Sequence, residues 1–258
     1  MKKIIDLRVT LSERVGAQCV LLKAKPVEGR LPECKPGQFA QLRVDNPETF
    51  LRRPISIHDV EGDEISFLVQ EVGKGTSWLC SLKEGDLLNA VLPLGNGFTL
   101  PCAKSTCPSL LIGGGVGVAP LLFLGKRLRE QGVKPTFLLG ARSKAQLIRL
   151  DAFREIGDVF VTTEDGSEGE RGFVTQHSLF TSHSSPLSFI YTCGPMPMMR
   201  AVAKLARERG IECELSLENR MACGVGACLC CVEELADGHN HCVCTEGPVF
   251  DARKIIDN

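Results

Sequence analysis

The strongest constraint on this chain is the crowding of six of its thirteen cysteines between residues 223 and 244. From about residue 216 the sequence is rich in Gly and Cys and has little hydrophobic periodicity, so the stretch cannot bury enough apolar surface to order itself. Something other than a core must hold it. Clustered thiols in a cytosolic chain point to metal ligation rather than to a disulfide framework. The scattered cysteines (Cys19, Cys34, Cys80, Cys102, Cys107, Cys193 and Cys213) are expected to be buried small hydrophobes.

The spacing within the cluster is informative. Met221-Ala222-Cys223-Gly224-Val225-Gly226-Ala227-Cys228-Leu229-Cys230-Cys231 contains Cys-x4-Cys-x2-Cys, the loop spacing of plant-type 2Fe-2S ferredoxins. Soft thiolates suit iron bridged by sulfide, and the glycines let backbone amides approach the cluster. Cys223, Cys228 and Cys231 are three candidate ligands; the fourth comes from Cys242 or Cys244. Cys230, between two of them, has no assigned role. The competing expectation is a zinc-bearing binding module that uses some of these cysteines with His239 or His241. Four-residue spacing with Gly at two of the intervening positions is unusual for a zinc knuckle.

The other 215 residues are ordinary globular sequence. The chain has 258 residues, 43% of them hydrophobic, enough for two domains and a short appendage. A net charge of -1 gives no electrostatic case for nucleic acid or an anionic membrane, and neither partner is expected. Asp6 and Arg8 interrupt any signal-peptide stretch, and no run of about 20 apolar residues follows. A cytoplasmic protein is expected.

From residue 4 to about 100, short β-type runs alternate with Gly and Pro: 17–22, 38–44, 55–57, 64–69 and 87–91. They predict a small antiparallel barrel. Pro101 to Pro108 is expected to be a linker. Strands then alternate with helices: 110–112, a helix near 118–131, 136–140, a helix near 144–155, 159–162, 189–192 and a helix near 197–209. This rhythm predicts a doubly wound parallel sheet. The expected organisation is an N-terminal antiparallel β-barrel (1–101), a central α/β nucleotide-binding domain (102–215) and a short C-terminal cluster segment (216–258).

Two further motifs carry chemistry. Arg52-Arg53-Pro54-Ile55-Ser56 lies just ahead of an expected strand, where an arginine fork could pair with a diphosphate. Gly73-Lys74-Gly75-Thr76 opens a short helix whose amides could receive phosphate oxygens. In the second half, Gly113-Gly114-Gly115-Val116-Gly117 and Thr192-Cys193-Gly194-Pro195-Met196 each end a strand and open a helix, the setting in which bare backbone approaches a pyrophosphate. Neither is the usual Gly-x-Gly-x-x-Gly fingerprint. No Ser/His/Asp or paired-carboxylate constellation marks a catalytic side chain, so the chemistry is expected to belong to cofactors.

Taken with Pro36-Gly37-Gln38-Phe39, these motifs resemble the ferredoxin-NADP reductase superfamily. The stretches Leu51 to Ile57, Pro93-Leu94-Gly95-Asn96-Gly97-Phe98 and Glu218 to Cys228 more closely resemble the electron-transfer subunits of NAD-dependent class 1B dihydroorotate dehydrogenases, nearly end to end. The resemblance implies a flavin-binding barrel in which Arg53, Pro54, Ile55, Ser56, Leu68, Val69, Gln70, Gly75 and Thr76 hold FAD. It implies NAD at Gly114, Gly115, Val116, Gly117, Cys193, Gly194, Pro195 and Met196, and it selects Cys244 as the fourth cluster ligand. It further implies an FMN-containing catalytic partner subunit, in a heterotetramer of two plus two. Electrons would pass from that FMN through the 2Fe-2S cluster and FAD to NAD during pyrimidine synthesis. One departure stands out: Leu68-Val69-Gln70 replaces the family's usual Tyr-Arg pair. The alternative within the superfamily is the small subunit of an NADH-dependent ferredoxin-NADP oxidoreductase.

Overall fold

The computed structural model describes residues 2–16, 18–101, 108–180 and 187–255. Ala17 and linker residues 102–107, with Cys102 and Cys107, lie outside the described residues.

Period-two alternation builds the first half. The elements are β1 (Lys3–Gly16), β2 (Cys19–Pro26), β3 (Phe39–Leu42), β4 (Arg53–Glu61), β5 (Glu64–Gln70), α1 (Lys74–Ser81) and β6 (Leu87–Leu94). The strands close into a barrel in the order β1-β2-β5-β4-β3-β6. Val20, Leu22 and Ala24, Ala40 and Leu42, Ile65, Phe67 and Val69, and Leu88, Ala90 and Leu92 share its core. Each set is spaced by two because successive strand side chains face opposite sides. Arg53 and Pro54, expected just ahead of the strand run 55–57, are instead the first residues of β4, which pairs with β3 from Leu42↔Arg53 to Phe39↔Ser56.

The second half comprises β7 (Ser109–Gly114), α2 (Ala119–Glu130), β8 (Thr136–Ala141), α3 (Leu150–Arg154), β9 (Asp158–Thr163), β10 (Glu170–Arg171), β11 (Phe189–Cys193), α4 (Met196–Glu208) and β12 (Glu212–Ser216). These strands run parallel in the order β10-β9-β8-β7-β11-β12. The chain moves outward from β7 to β10 and then returns to β11 on the other side of β7. The topological switch point therefore lies between β7 and β11, where such sheets bind ligands at the strands' carboxyl ends. The helix expected over 144–155 is shorter than predicted. Leu147 is extended and Arg149 has φ 55°, a left-handed conformation that interrupts helical hydrogen bonding, so only Leu150–Arg154 is α-helical. β12 adds a strand beyond those predicted, with Cys213 and Leu215 buried in alternation with Glu212 and Glu214.

The C-terminal segment adds a ribbon of β13 (Val232–Glu234) and β14 (Asn240–Cys242), then β15 (Val249–Asp251). β15 pairs antiparallel with β12, extending the central sheet to seven strands. Val243, Cys244, Phe250, Ala252 and Ile255 pack in one core with Leu215 and Leu217. Thus a segment too poor in apolar residues to fold alone is ordered by docking. Barrel and sheet also meet directly: fully buried His58 of β4 donates from Nδ1 to the Ala119 carbonyl at 2.7 Å, and Lys126 of α2 pairs with Asp59 and Glu61. No helix among the described residues is long and apolar enough to cross a membrane.

Candidate functional site

The cysteine loop folds around sulfur. Gly224 and Gly226 have φ of 69° and 85°, and Leu229 also takes a positive φ of 58°; these left-handed residues curl the backbone so that its amides face inward. Cys223 Sγ accepts N–H groups from Val225 at 3.4 Å and Ala227 at 3.3 Å. Those bonds, with the Val225 amide foremost and Cys228 next, hold the Cys223 thiol down at about 6. Cys231 Sγ accepts the Cys244 N–H at 3.4 Å. Burial first, aided by Cys231 and Cys223 and opposed by a hydrogen bond from the Gly226 backbone, pushes the Cys244 thiol up to about 12.

The four expected ligands are therefore linked through mutual contacts, drawn from the loop and from the turn after β14. Cys242 also reaches Cys231, but its thiol interacts with Thr245 and its N–H donates to Glu246 at 2.9 Å. Cys244 adds contacts to Gly226 and Cys223 on the loop. Cys230 is exposed. Four thiols with backbone donors aimed at sulfur fit an iron-sulfur cluster, whose charge such amides stabilise. Of the two imidazoles considered for zinc, His239 is exposed, and His241 bonds Glu246 at 2.7 Å and Asp237 at 2.9 Å, two carboxylates that, Asp237 first, raise its pKa. Among the described residues, no three Cys, His, Asp or Glu side chains converge to hold a single metal ion.

The flavin motif occupies the barrel face beside this loop. The two arginines have different tasks. Arg52 donates to the carbonyls of Gln41 and Asn89, both at 3.2 Å, and to Asn89 Oδ1 at 2.5 Å, bracing β3 against β6. Arg53 lies over the start of α1, so close that a Cβ on Gly75 would come within 2.4 Å of its Nε. Thr76 Oγ1 accepts the N–H groups of Val72 at 2.9 Å and Gly73 at 3.1 Å, which shapes the approach to the helix. A guanidinium over bare helix-start backbone is a cradle that a side chain would fill, and it fits a diphosphate.

The ladder between β4 and β5 runs from Ile57/Phe67 to Glu61/Glu64 and does not continue toward Arg53 and Gln70. Pro54, Ile55 and Ser56 thus pair only with β3, and Leu68, Val69 and Gln70 only with β2. The Leu68 and Val69 side chains are buried, Leu68 among the sheet residues and Val69 inside the barrel, and only Gln70 is half-exposed. Any contact of Leu68 and Val69 with flavin is accordingly through backbone.

The two nicotinamide motifs meet at the switch point. Cys193 pairs with Gly113, so Gly114 to Gly117 and Cys193 to Met196 leave adjacent strands side by side. A Cβ on Gly117 would lie 2.5 Å from the Cys193 carbonyl and from Gly194 Cα, and one on Gly114 would lie 2.6 Å from Met198 Sδ. Gly115 has φ 57° and open space where a side chain would project. Bare backbone at the carboxyl ends of the switch-point strands, open at Gly115, fits a dinucleotide. Cys193 is buried, and burial first, then the Glu218 carboxylate, pushes its thiol well above the ordinary value. It therefore stays a neutral thiol.

Two residues of the site escaped motif reasoning. Asn96, given no role within the stretch Pro93 to Phe98, stitches the barrel to the segment after Cys244: its Nδ2 donates to the carbonyls of Glu246 at 2.9 Å and Val249 at 2.8 Å. Gln41 of β3 touches the cluster loop at Gly224. Its only sequence signal is a polar residue within the apolar run Phe39-Ala40-Gln41-Leu42.

Comparison with known proteins agrees with this geometry. Residues 218–256 match the iron-sulfur cluster binding domain of dihydroorotate dehydrogenase B, and residues 111–204 match the oxidoreductase NAD-binding domain. The dihydroorotate dehydrogenase B (NAD(+)) electron transfer subunit of Shouchella clausii is 40% identical over 238 residues, covering 89% of this chain and 90% of that one. Its counterpart from Fusobacterium nucleatum is 37% identical over 261 residues, covering 98% of both. Among solved structures, the NADH-dependent reduced ferredoxin-NADP oxidoreductase aligns with a TM-score of 0.84 at 30% identity, over 97% of this chain and 89% of that one. The ferredoxin reductase of carbazole 1,9a-dioxygenase shares the fold, with a TM-score of 0.69 at 21% identity over 81% of this chain and 67% of that one. The chain belongs to the family of dihydroorotate dehydrogenase B (NAD(+)) electron transfer subunits.

Proposed function

We propose that this chain is the electron-transfer subunit of a dihydroorotate dehydrogenase, carrying electrons from an FMN-containing catalytic partner to NAD+ in pyrimidine synthesis. The observation that carries this is the contact between two cofactor segments: Gly224 of the cysteine loop lies against Gln41, whose β4 register partner is Pro54 of the flavin motif. When bound, the cluster supplies one-electron transfer and FAD supplies the junction with two-electron hydride chemistry. Cys223, Cys228, Cys231 and Cys244 ligate the cluster. Arg53 and the α1 start, with Gly75 and Thr76, neutralise the flavin diphosphate, while Pro54 to Ser56 and Leu68 to Gln70 flank the ring. Gly114 to Gly117 and Cys193 to Met196 receive NAD. The expected domain boundaries, 1–101, 102–215 and 216–258, assign one cofactor to each unit.

The partner docks over the cysteine loop, whose tip exposes apolar Val225 and Leu229 beside Cys228. A two-plus-two heterotetramer in the cytoplasm is the assembly we favour. The visible spectrum of anaerobically purified protein, with iron, sulfide, zinc and flavin analysis, tests the cofactors. Two irons, two sulfides and one FAD per chain are expected; bound zinc in a colourless protein overturns the assignment. Dihydroorotate-dependent NAD+ reduction with the catalytic partner then tests the reaction.

A second proposal rests on the 30% identity and 0.84 TM-score to the NADH-dependent reduced ferredoxin-NADP oxidoreductase. A chain of that kind would exchange electrons with ferredoxin and give no response to dihydroorotate.

A further inference from the structure

Gln41 is fully buried, yet neither atom of its side-chain amide has a hydrogen-bond partner among the described residues. Native chains rarely leave a buried amide unpaired unless a group bound there satisfies it. The direction of the side chain is set by β3. Ala40 and Leu42 point into the barrel core, so Phe39 and Gln41 point outward, toward the C-terminal segment.

Outward here means toward the cysteine loop. A Cβ on Gly224 would fall 2.7 Å from Gln41 Cγ and 2.8 Å from Nε2. The amide therefore rests on bare backbone immediately after Cys223. What packs on this side is apolar or sulfur: Phe39 shares its core with Met221, Cys231, Val243 and Cys244. The strand beneath is braced by Arg52, which binds the Gln41 carbonyl at 3.2 Å. A braced strand presenting an unsatisfied donor beside thiols is a feature that apolar packing alone does not require.

We propose that the Gln41 side-chain amide donates from Nε2 to a sulfur of the bound 2Fe-2S cluster, on the Cys223 side of the loop. This rests on the cluster assignment above. Sulfur there only accepts, which places Nε2 rather than Oε1 toward it. A donor to sulfur stabilises the reduced, more negative cluster relative to the oxidised one and raises its potential. Gln41 would then couple the barrel that holds flavin to the potential of the cluster beside it.

The experiment uses the purified full chain carrying its cluster. Iron and sulfide analysis of the wild type comes first: a chain that takes up neither sinks the cluster assignment itself, before any variant is made. In the loaded wild type labelled with 15N at glutamine side chains, pulsed EPR of the reduced cluster should detect a coupled 15N that is lost in Gln41→Met. The same variant should show a more negative cluster potential in an EPR-monitored redox titration, with faster loss of iron to a chelator. No 15N coupling in the wild type overturns the proposal even if the variant fails to fold. An unchanged cluster potential in Gln41→Met, with a raised thermal midpoint, also overturns it and makes Gln41 a buried amide whose removal relieves a cost. A shift confined to the flavin potential overturns it too, by placing the amide toward the ring.

Discussion

Asn96 and Val249 exchange two hydrogen bonds across the junction of barrel and C-terminal segment: Nδ2 donates to the Val249 carbonyl at 2.8 Å, and Oδ1 accepts the Val249 N–H at 2.9 Å. The Asn96 backbone N–H also donates to the Gly247 carbonyl at 2.7 Å. A side chain that mimics a strand edge therefore clamps the start of β15, five residues past Cys244. Asn96→Ala leaves both Val249 groups without this partner and should cost roughly 1–3 kcal/mol. Chemical denaturation measures the loss, and iron release to a chelator should quicken in parallel. Unchanged stability would mean that water replaces the amide at no cost.

Flavin retention should depend on the absence of a side chain at residue 75. A Cβ there would overlap the Arg53 guanidinium, which a flexible side chain avoids only by moving off the helix start. Gly75→Ala should thus lower the FAD content of purified protein and weaken FAD rebinding about tenfold or more, comparable to losing roughly 1.5–3 kcal/mol of charge-assisted hydrogen bonding. Equilibrium titration of the apoprotein with FAD checks this. Affinity equal to wild type would show that Arg53 holds no phosphate.

Gly117→Ala tests the nicotinamide cleft. Its Cβ would meet main-chain atoms of Cys193 and Gly194 at 2.5 Å, and backbone cannot swing aside as a side chain can. The two loops must separate, so the KM for NAD+ should rise several-fold and the thermal midpoint should fall by several degrees. Normal NAD+ kinetics in a variant of normal stability would place the dinucleotide elsewhere.

Acid should weaken the contact between barrel and sheet through His58. Burial first, opposed by the Ala119 hydrogen bond and aided by Arg149, Lys126 and Lys23, lowers its pKa from 6.5 to about 4. The folded protein keeps this imidazole neutral while the unfolded chain protonates it. Its contribution is complete above about pH 6.5, is lost as pH falls toward 4, and changes no further below that. The full loss is roughly 3 kcal/mol. His58→Gln removes the titration, so the difference in unfolding free energy between variant and wild type should change across pH 4–6.5 and stay flat above it. A constant difference would mean that the imidazole is not kept neutral.

Cysteine spacing, glycine at strand-to-helix turns and the change from period-two to period-3.6 patterning are local properties, and they were legible without coordinates. The spacing of Cys223, Cys228 and Cys231 marks the candidate ligands of one loop by itself, and Gly114 to Gly117 identify a bare turn wherever the strand lies. Local pattern failed where a neighbour distant in sequence decides. Arg149 breaks a helix that propensity favoured, and β12 becomes a strand against β11 and β15. The burial of Leu68 and Val69 follows from barrel closure and sheet packing, which settle how much side chain is left for a ligand. Gln41 is the sharpest case: alternation in Phe39-Ala40-Gln41-Leu42 says only that it faces outward, and outward usually means water. Only the tertiary structure covers that face with Gly224 and the cysteine core, because packing between segments depends on which surfaces meet and not on the pattern within either one.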